Sequence, residues 1–149
     1  GTKKRKYRIK FFFFFTPIIL AGGQGLRLRK LIGEHQKTMI KIDKKPFLCK
    51  VLDQIICLGF NEVIICTGYK SKEIRSFFNN SYKRLDVRYS QEYKPLGTGG
   101  AIRNAITNYK ISNMLVFNGD SYCQINYQNF LLFLSKNIPF VIGVQSHAR

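Results

Sequence analysis

Three glycines in four positions, Gly22, Gly23 and Gly25, are followed by Arg27 and open directly from an apolar run that ends at Ala21. Without β-carbons, such a loop can bring its backbone N–H groups close to an anion. Arg27 adds a planar fork of donors matched to phosphate oxygens. The same glycines would serve a plain tight turn. The loop is not a dinucleotide fingerprint, because Leu28 stands where the next glycine is needed, and no Gly-Lys-Ser or Gly-Lys-Thr closes it as a Walker loop. A carboxylate, Asp120, follows a second apolar run after Asn118 and Gly119. At the carboxyl end of a strand it suits Mg²⁺, which takes one or two protein carboxylates together with waters and phosphate oxygens. An isolated Gly-Asp pair reads better as a turn, whereas a Gly-Asp pair joined to a phosphate loop favours metal binding.

The elements that would position these residues follow from periodicity. Apolar runs over 17–21, 62–67, 87–89, 114–117 and 140–144 read as strands. Helical patterns occupy 47–58, 71–78, 99–109 and 127–135. In the first of these, Leu48, Val51, Leu52 and Ile55 share one face, Pro46 suits the first turn and Gly59 suits the stop. Such alternation implies an α/β class, with a mostly parallel sheet between helices on both faces. Ligands of open parallel sheets bind beyond the carboxyl ends of the strands, so the loops after the strands are where chemistry is expected.

Composition bounds the rest. A chain of 149 residues with 45% hydrophobic content suffices for one domain with a real core. Its formal charge of +17 implies attraction to polyanions, and nucleic acid, a membrane surface and nucleotides all qualify. Part of the excess lies in Lys3, Lys4, Arg5, Lys6, Arg8 and Lys10, but the remainder is still strongly basic. Cys49, Cys57, Cys66 and Cys123 lie far apart with no C-x-x-C pair, and are expected to be buried reduced thiols, which favours a cytoplasmic location.

Residues 1–15, a basic cluster and five consecutive Phe, followed by an apolar run and small residues at Ala21, Gly22 and Gly23, resemble a secretory signal, yet cleavage at those small residues would destroy the glycine loop. They are expected to be an extension, non-native or disordered, with the domain proper over 16–149. No apolar stretch reaches the ~20 residues needed to span a bilayer, since Gln24 and Arg27 interrupt the one candidate.

The residues Ala21-Gly22-Gly23-Gln24-Gly25-Leu26-Arg27-Leu28, followed by Lys37-Thr38-Met39, resemble the signature of sugar-phosphate nucleotidyltransferases. Pro95-Leu96-Gly97-Thr98-Gly99-Gly100 looks like that family's second glycine-rich loop, and Phe117-Asn118-Gly119-Asp120 like its metal-binding turn. The resemblance covers about residues 17–145 and is closest to the mannose 1-phosphate and heptose 1-phosphate guanylyltransferases. Gln36 and Thr38 stand where the family usually flanks its lysine with prolines.

The resemblance implies a Rossmann-like three-layer α/β/α fold and transfer of a nucleoside monophosphate, GMP among the candidates, from a triphosphate to a sugar 1-phosphate. Ala21, Gly22, Gly23, Gly25, Arg27, Glu92, Gly97 and Thr98 would hold the nucleotide. Glu92 would face the base, Lys37 and Arg27 the reacting phosphates, and Asp120 would hold Mg²⁺. The family continues through a sugar-binding half and a second metal-binding Asp, so a C-terminally truncated member of uncertain turnover is expected. Two rivals stand beside this reading: a nucleotide-binding relative without catalysis, and a basic nucleic-acid-binding module. The second lacks RNA-recognition aromatics, a helix-turn-helix pattern and zinc spacing.

Overall fold

The structure, a computed structural model, describes residues 14–23, 37–68, 71–124 and 126. Its elements are β1 (Thr16–Leu20), a short 3-10 turn (Lys37–Met39), β2 (Lys41–Ile42), β3 (Lys45–Pro46), α1 (Leu48–Cys57), β4 (Glu62–Thr67), α2 (Ser71–Phe78), β5 (Ser81–Tyr82), β6 (Leu85–Gln91), α3 (Gly97–Tyr109) and β7 (Met114–Asn118). Five strands form one sheet in the order β5-β6-β4-β1-β7. β6, β4, β1 and β7 run parallel, and only the short β5 is antiparallel. The expected mostly parallel sheet is therefore present.

Side-chain alternation along the strands sorts the core into two layers. Ile19, Val63, Ile65 and Val87 pack with Leu48, Val51, Leu52 and Ile55 of α1 and with Ile74 and Phe78 of α2. One residue out of step, Ile18, Ile64 and Cys66 pack with Ala101 and Ala105 of α3. Helices thus cover both faces, which is why β4 reads as a continuous apolar run after Glu62 instead of an alternating one. Complete burial of Ile18, Ile19, Leu52, Ile55 and Ile65 contributes on the order of 1.5–3 kcal/mol per side chain. Truncating Ile65 to Ala would cost about 2–5 kcal/mol, because both layers are too close-packed to refill the space.

Several boundaries differ from the sequence reading. The expected strand at 87–89 extends over Leu85–Gln91. The helix expected from 99 begins at Gly97, so Gly97 and Thr98 sit in its first turn and not in a preceding loop. The β2–β3 pair and β5 have only two residues per strand, too few for a periodic signal. The β2–β3 turn places Asp43 and Lys44 at φ of 52° and 69°, the left-handed geometry that tight hairpins require and that Gly or Asn would have advertised.

Cys49 and Cys66 are buried as expected, but Cys57, the last residue of α1, is exposed because it lies off the apolar stripe, and Cys123, beyond β7, is only partly buried. All four cysteines are free thiols. No helix among the described residues is long and apolar enough to cross a membrane. Phe14 is exposed, and Phe15 packs against the larger core layer. The strand expected at 140–144 and the helix expected at 127–135 lie outside the described residues.

Candidate functional site

Because β1, β4, β6 and β7 are parallel, their carboxyl ends open on one edge of the sheet. Register places Leu20 beside Cys66 and Asn118, and Cys66 beside Ser90. The chain leaves β1 through Ala21, whose N–H donates to the Cys66 carbonyl at 2.9 Å. On the other side the Gly119 N–H donates to the Leu20 carbonyl at 2.9 Å. Both bonds continue the sheet ladder past β1, so Leu20 and Ala21, which lead into the glycine loop, are held by two neighbouring strands.

Glu92 enters from β6. Its N–H donates to the Thr67 carbonyl at 2.8 Å, and its carboxylate is drawn across the end of the sheet. There it packs on Gly22 and Gly68: a β-carbon at Gly22 would collide with Glu92 Oε1, and one at Gly68 would lie 2.9 Å from the same atom. The other oxygen, Oε2, accepts from the Leu96 N–H at 3.2 Å. Leu96 is the N-cap of α3, has no side-chain cap of its own, and precedes a first turn without acidic residues. Glu92 therefore joins the loop after β1, the loop after β4 and the start of α3, where a carboxylate also complements the helix dipole.

α3 is fixed over this end of the sheet by Asn104, whose Nδ2 donates to Ser90 Oγ and to the Gln91 carbonyl, each at 3.2 Å. Tyr109 Oη adds a bond to the Tyr89 carbonyl at 2.7 Å. The helix N-terminus thus faces the strand ends, a place that favours anions. Gly97 adopts φ +71°, which explains a glycine there through backbone conformation. Thr98 is exposed on the same turn.

The Lys37–Met39 turn approaches from the β7 side. Thr38 is buried, and its Cγ2 would lie 2.9 Å from a β-carbon at Gly119, which would also meet the Leu20 carbonyl oxygen at 3.0 Å. The turn carrying Lys37 is thereby seated against the turn carrying Asp120. Asp120 is exposed and accepts from Ser121 Oγ at 3.1 Å. From α1, Gln54 Nε2 donates to the Cys123 carbonyl at 2.9 Å, tying the chain just beyond Asp120 to the core.

Among the described residues no three His, Cys, Asp or Glu side chains gather as a metal cage. What Asp120 offers is one hard oxygen donor at the strand ends. That fits Mg²⁺ completed by phosphate oxygens and water, and does not fit a metal held by protein alone.

Burial pushes the Cys66 thiol up to about 12, with the nearby Glu92 charge adding to the rise. Its Sγ contacts the Ala101 carbonyl oxygen at 3.8 Å, so this thiol is a packing group and not a nucleophile.

The sequence-predicted residues thus divide. Ala21, Gly22, Gly23, Glu92, Gly97 and Asp120 all lie along the carboxyl edge, and Lys37 lies in the turn packed against Gly119. Gly25 and Arg27 lie outside the described residues. Sequence reading missed Gly68, Thr38 and Gln54. Gly68 carried a usable signal, a glycine directly after an apolar strand. Thr38 carried none, since its importance comes from a tertiary contact, whereas Gln54 carried one, a polar residue on the apolar face of α1.

A family model described as Nucleotidyl transferase matches residues 16–143. The D-glycero-alpha-D-manno-heptose 1-phosphate guanylyltransferase of Aneurinibacillus thermoaerophilus is 43% identical over 104 residues, covering 70% of this chain and 45% of that protein. The mannose-1-phosphate guanylyltransferase of Mycobacterium tuberculosis is 38% identical over 104 residues, covering 69% of this chain and 29% of that protein. Among solved structures, HddC from Yersinia pseudotuberculosis complexed with GMP-PN superposes with a TM-score of 0.70 at 36% identity, over 80% of this chain and 53% of that one. The chain spans about half the length of the heptose 1-phosphate guanylyltransferases it matches, 45% and 53% of two of them, and less of the mannose-1-phosphate enzyme.

Proposed function

This chain belongs to the nucleotidyl transferase family, and from that premise we propose that it forms the nucleotide-binding part of a sugar-1-phosphate guanylyltransferase, taking GTP as donor and mannose or heptose 1-phosphate as acceptor. The convergence of Gly22, Glu92 and the Gly119-Asp120 turn on one sheet edge carries the reading. Two relatives named as guanylyltransferases, and a neighbour complexed with GMP-PN, support guanine over other bases.

In the proposed reaction an oxygen of the sugar phosphate attacks the α-phosphorus of GTP in line. The bond from that phosphorus to the β-phosphate bridging oxygen breaks, and the electron pair leaves with pyrophosphate. No covalent enzyme intermediate is required. The chain's part is positioning and charge neutralisation. Gly22, Gly23 and Gly25 would present N–H groups to the phosphates, with Arg27 and Lys37 as cationic partners, while Ala21, expected among the nucleotide-binding residues, donates its own N–H to the Cys66 carbonyl and anchors the loop. The start of α3, with Gly97 and Thr98, would lie beside the nucleoside, and Glu92 would accept from a guanine N1–H and N2–H edge. Asp120 would hold Mg²⁺, which would supply charge neutralisation for the triphosphate. The domain proper would span 16–149, and the protein would work in the cytoplasm.

The test is calorimetric titration of the 149-residue chain with GTP, ATP, CTP, UTP and dTTP in Mg²⁺ at moderate salt. GTP is expected to bind most tightly and Arg27→Ala to weaken it, with pyrophosphate release on adding either sugar phosphate as the second readout. Equal affinity for all five nucleotides, unchanged in Arg27→Ala and lost steeply with salt, would favour nonspecific polyanion binding instead.

A further inference from the structure

We propose that Gln54 is a positioning residue for the metal-binding turn, acting through the Cys123 carbonyl and not by touching substrate. This rests on the reading of Asp120 as the Mg²⁺ donor. Gln54 lies on the core-facing side of α1, between Val51, Leu52 and Ile55, where an apolar residue would continue the stripe. It is only 9% exposed. A polar amide in that position needs a partner, and its Nε2 donates at 2.9 Å to the carbonyl of Cys123, three residues beyond Asp120. The contact spans 69 positions of sequence and links the helix layer to this loop.

On its other side the same turn is seated by Thr38 against Gly119. The Asp120 carboxylate thus projects from a short segment held on both sides, once by packing and once by a partly buried hydrogen bond. A single carboxylate that shares Mg²⁺ with phosphate oxygens depends strongly on where its backbone is held. Outer groups that orient a ligand commonly account for 10–100-fold in metal affinity. Leu or Ile at position 54 would fill the helix face equally well but leave the Cys123 carbonyl unsatisfied and the turn free to shift.

The experiment compares wild type with Gln54→Met, which keeps length but loses the donor, and with Gln54→Glu, which keeps shape but presents no N–H when ionised. Asp120→Ala is the reference. Mn²⁺ affinity of each chain is read by electron paramagnetic resonance in saturating GTP, GTP affinity without metal by calorimetry, and melting temperature alongside, with binding measured well below each melt. Mn²⁺ affinity is expected to fall about tenfold in both Gln54 variants while metal-free GTP affinity holds. A lower melting temperature with unchanged Mn²⁺ affinity would reduce Gln54 to a stability role and overturn the inference. Mn²⁺ affinity in wild type equal to that of Asp120→Ala would overturn the Asp120 reading itself, and Gln54 with it. Should Gln54→Met fail to fold, Gln54→Glu carries the same comparison.

Discussion

Glu92 lies across Gly22 so closely that a β-carbon on the glycine would strike its Oε1, while its Oε2 accepts from the Leu96 N–H at the start of α3. The two glycine-rich segments of the chain, more than seventy positions apart in sequence, are therefore joined through one carboxylate. Anything that moves that carboxylate acts on both.

Gly22→Ala is the direct probe of this junction. The atom it strikes is the far end of a flexible side chain, so the glutamate can swing aside and the fold should survive. The Leu96 N–H then loses its acceptor, at a cost of about 1 kcal/mol, and GTP binding is expected to weaken at least tenfold. In a Glu92→Ala background the same Gly22→Ala change should add little to the stability loss. Melting curves and calorimetry on the four chains of this double-mutant cycle measure the coupling. Additive stability losses would show that Glu92 does not mediate the effect.

Gly119→Ala should behave differently, because two of its would-be contacts cannot swing away. The new methyl group would meet Thr38 Cγ2 at 2.9 Å and the Leu20 carbonyl oxygen at 3.0 Å, in a buried turn. A loss of about 1–3 kcal/mol is expected from overpacking. Thr38→Ser should relieve part of it and not all, since the Leu20 carbonyl remains. Gly23→Ala serves as control, having nothing within 4 Å of its would-be β-carbon, and should stay within about 0.5 kcal/mol of wild type. Urea unfolding of the four proteins gives the comparison.

How far the site was legible in the sequence follows from the same residues. The order of strands and helices, and the placing of Gly22, Glu92 and Asp120 near strand ends, came from local pattern, because parallel strands buried on both faces are continuous apolar runs. Local pattern also misplaced the start of α3 by two residues, since glycines at 97, 99 and 100 read as loop, whereas they form its first turn behind a positive-φ Gly97. Thr38 and Gln54 were missed for another reason. Thr38 fits any surface turn, the amide of Gln54 on the apolar face of α1 does not name its partner, and only folding brings them against Gly119 and Cys123. The expected burial of Cys57 failed because an apolar neighbourhood in sequence is not a shared helix face.

Thr67 offers a test of the floor beneath the loops. Its hydroxyl, at the end of β4, is the one buried side-chain oxygen or nitrogen among the described residues without a hydrogen-bond partner. An unsatisfied buried hydroxyl costs about 1–3 kcal/mol. Thr67→Val keeps the shape and removes that cost, so the variant is expected to melt at a higher temperature than wild type. A lower melting temperature would mean that the hydroxyl is bonded in solution.

Alkaline pH should expose the burial of Cys66. In the folded protein this thiol is raised from 9.0 to about 12, first by burial and then by the Glu92 charge. Once unfolded, it ionises near its ordinary value. Between these limits the native state binds more protons than the unfolded state, so stability falls as pH rises. The contribution is fully present below about pH 9 and is lost on the way to 12. The slope from one such group is at most about 1.4 kcal/mol per pH unit. Cys49 and Tyr89 are also raised by burial and steepen the same decline. Urea unfolding of wild type at intervals from pH 8 to 11 should therefore show falling stability, and Cys66→Ala should show a shallower fall, because it removes the most strongly shifted thiol. Its smaller side chain lowers stability at every pH, so the comparison rests on slope and not on height. Parallel curves for the two proteins would place the Cys66 thiol in contact with solvent, and the α3 layer would then be looser than its packing against Ala101 and Ala105 implies.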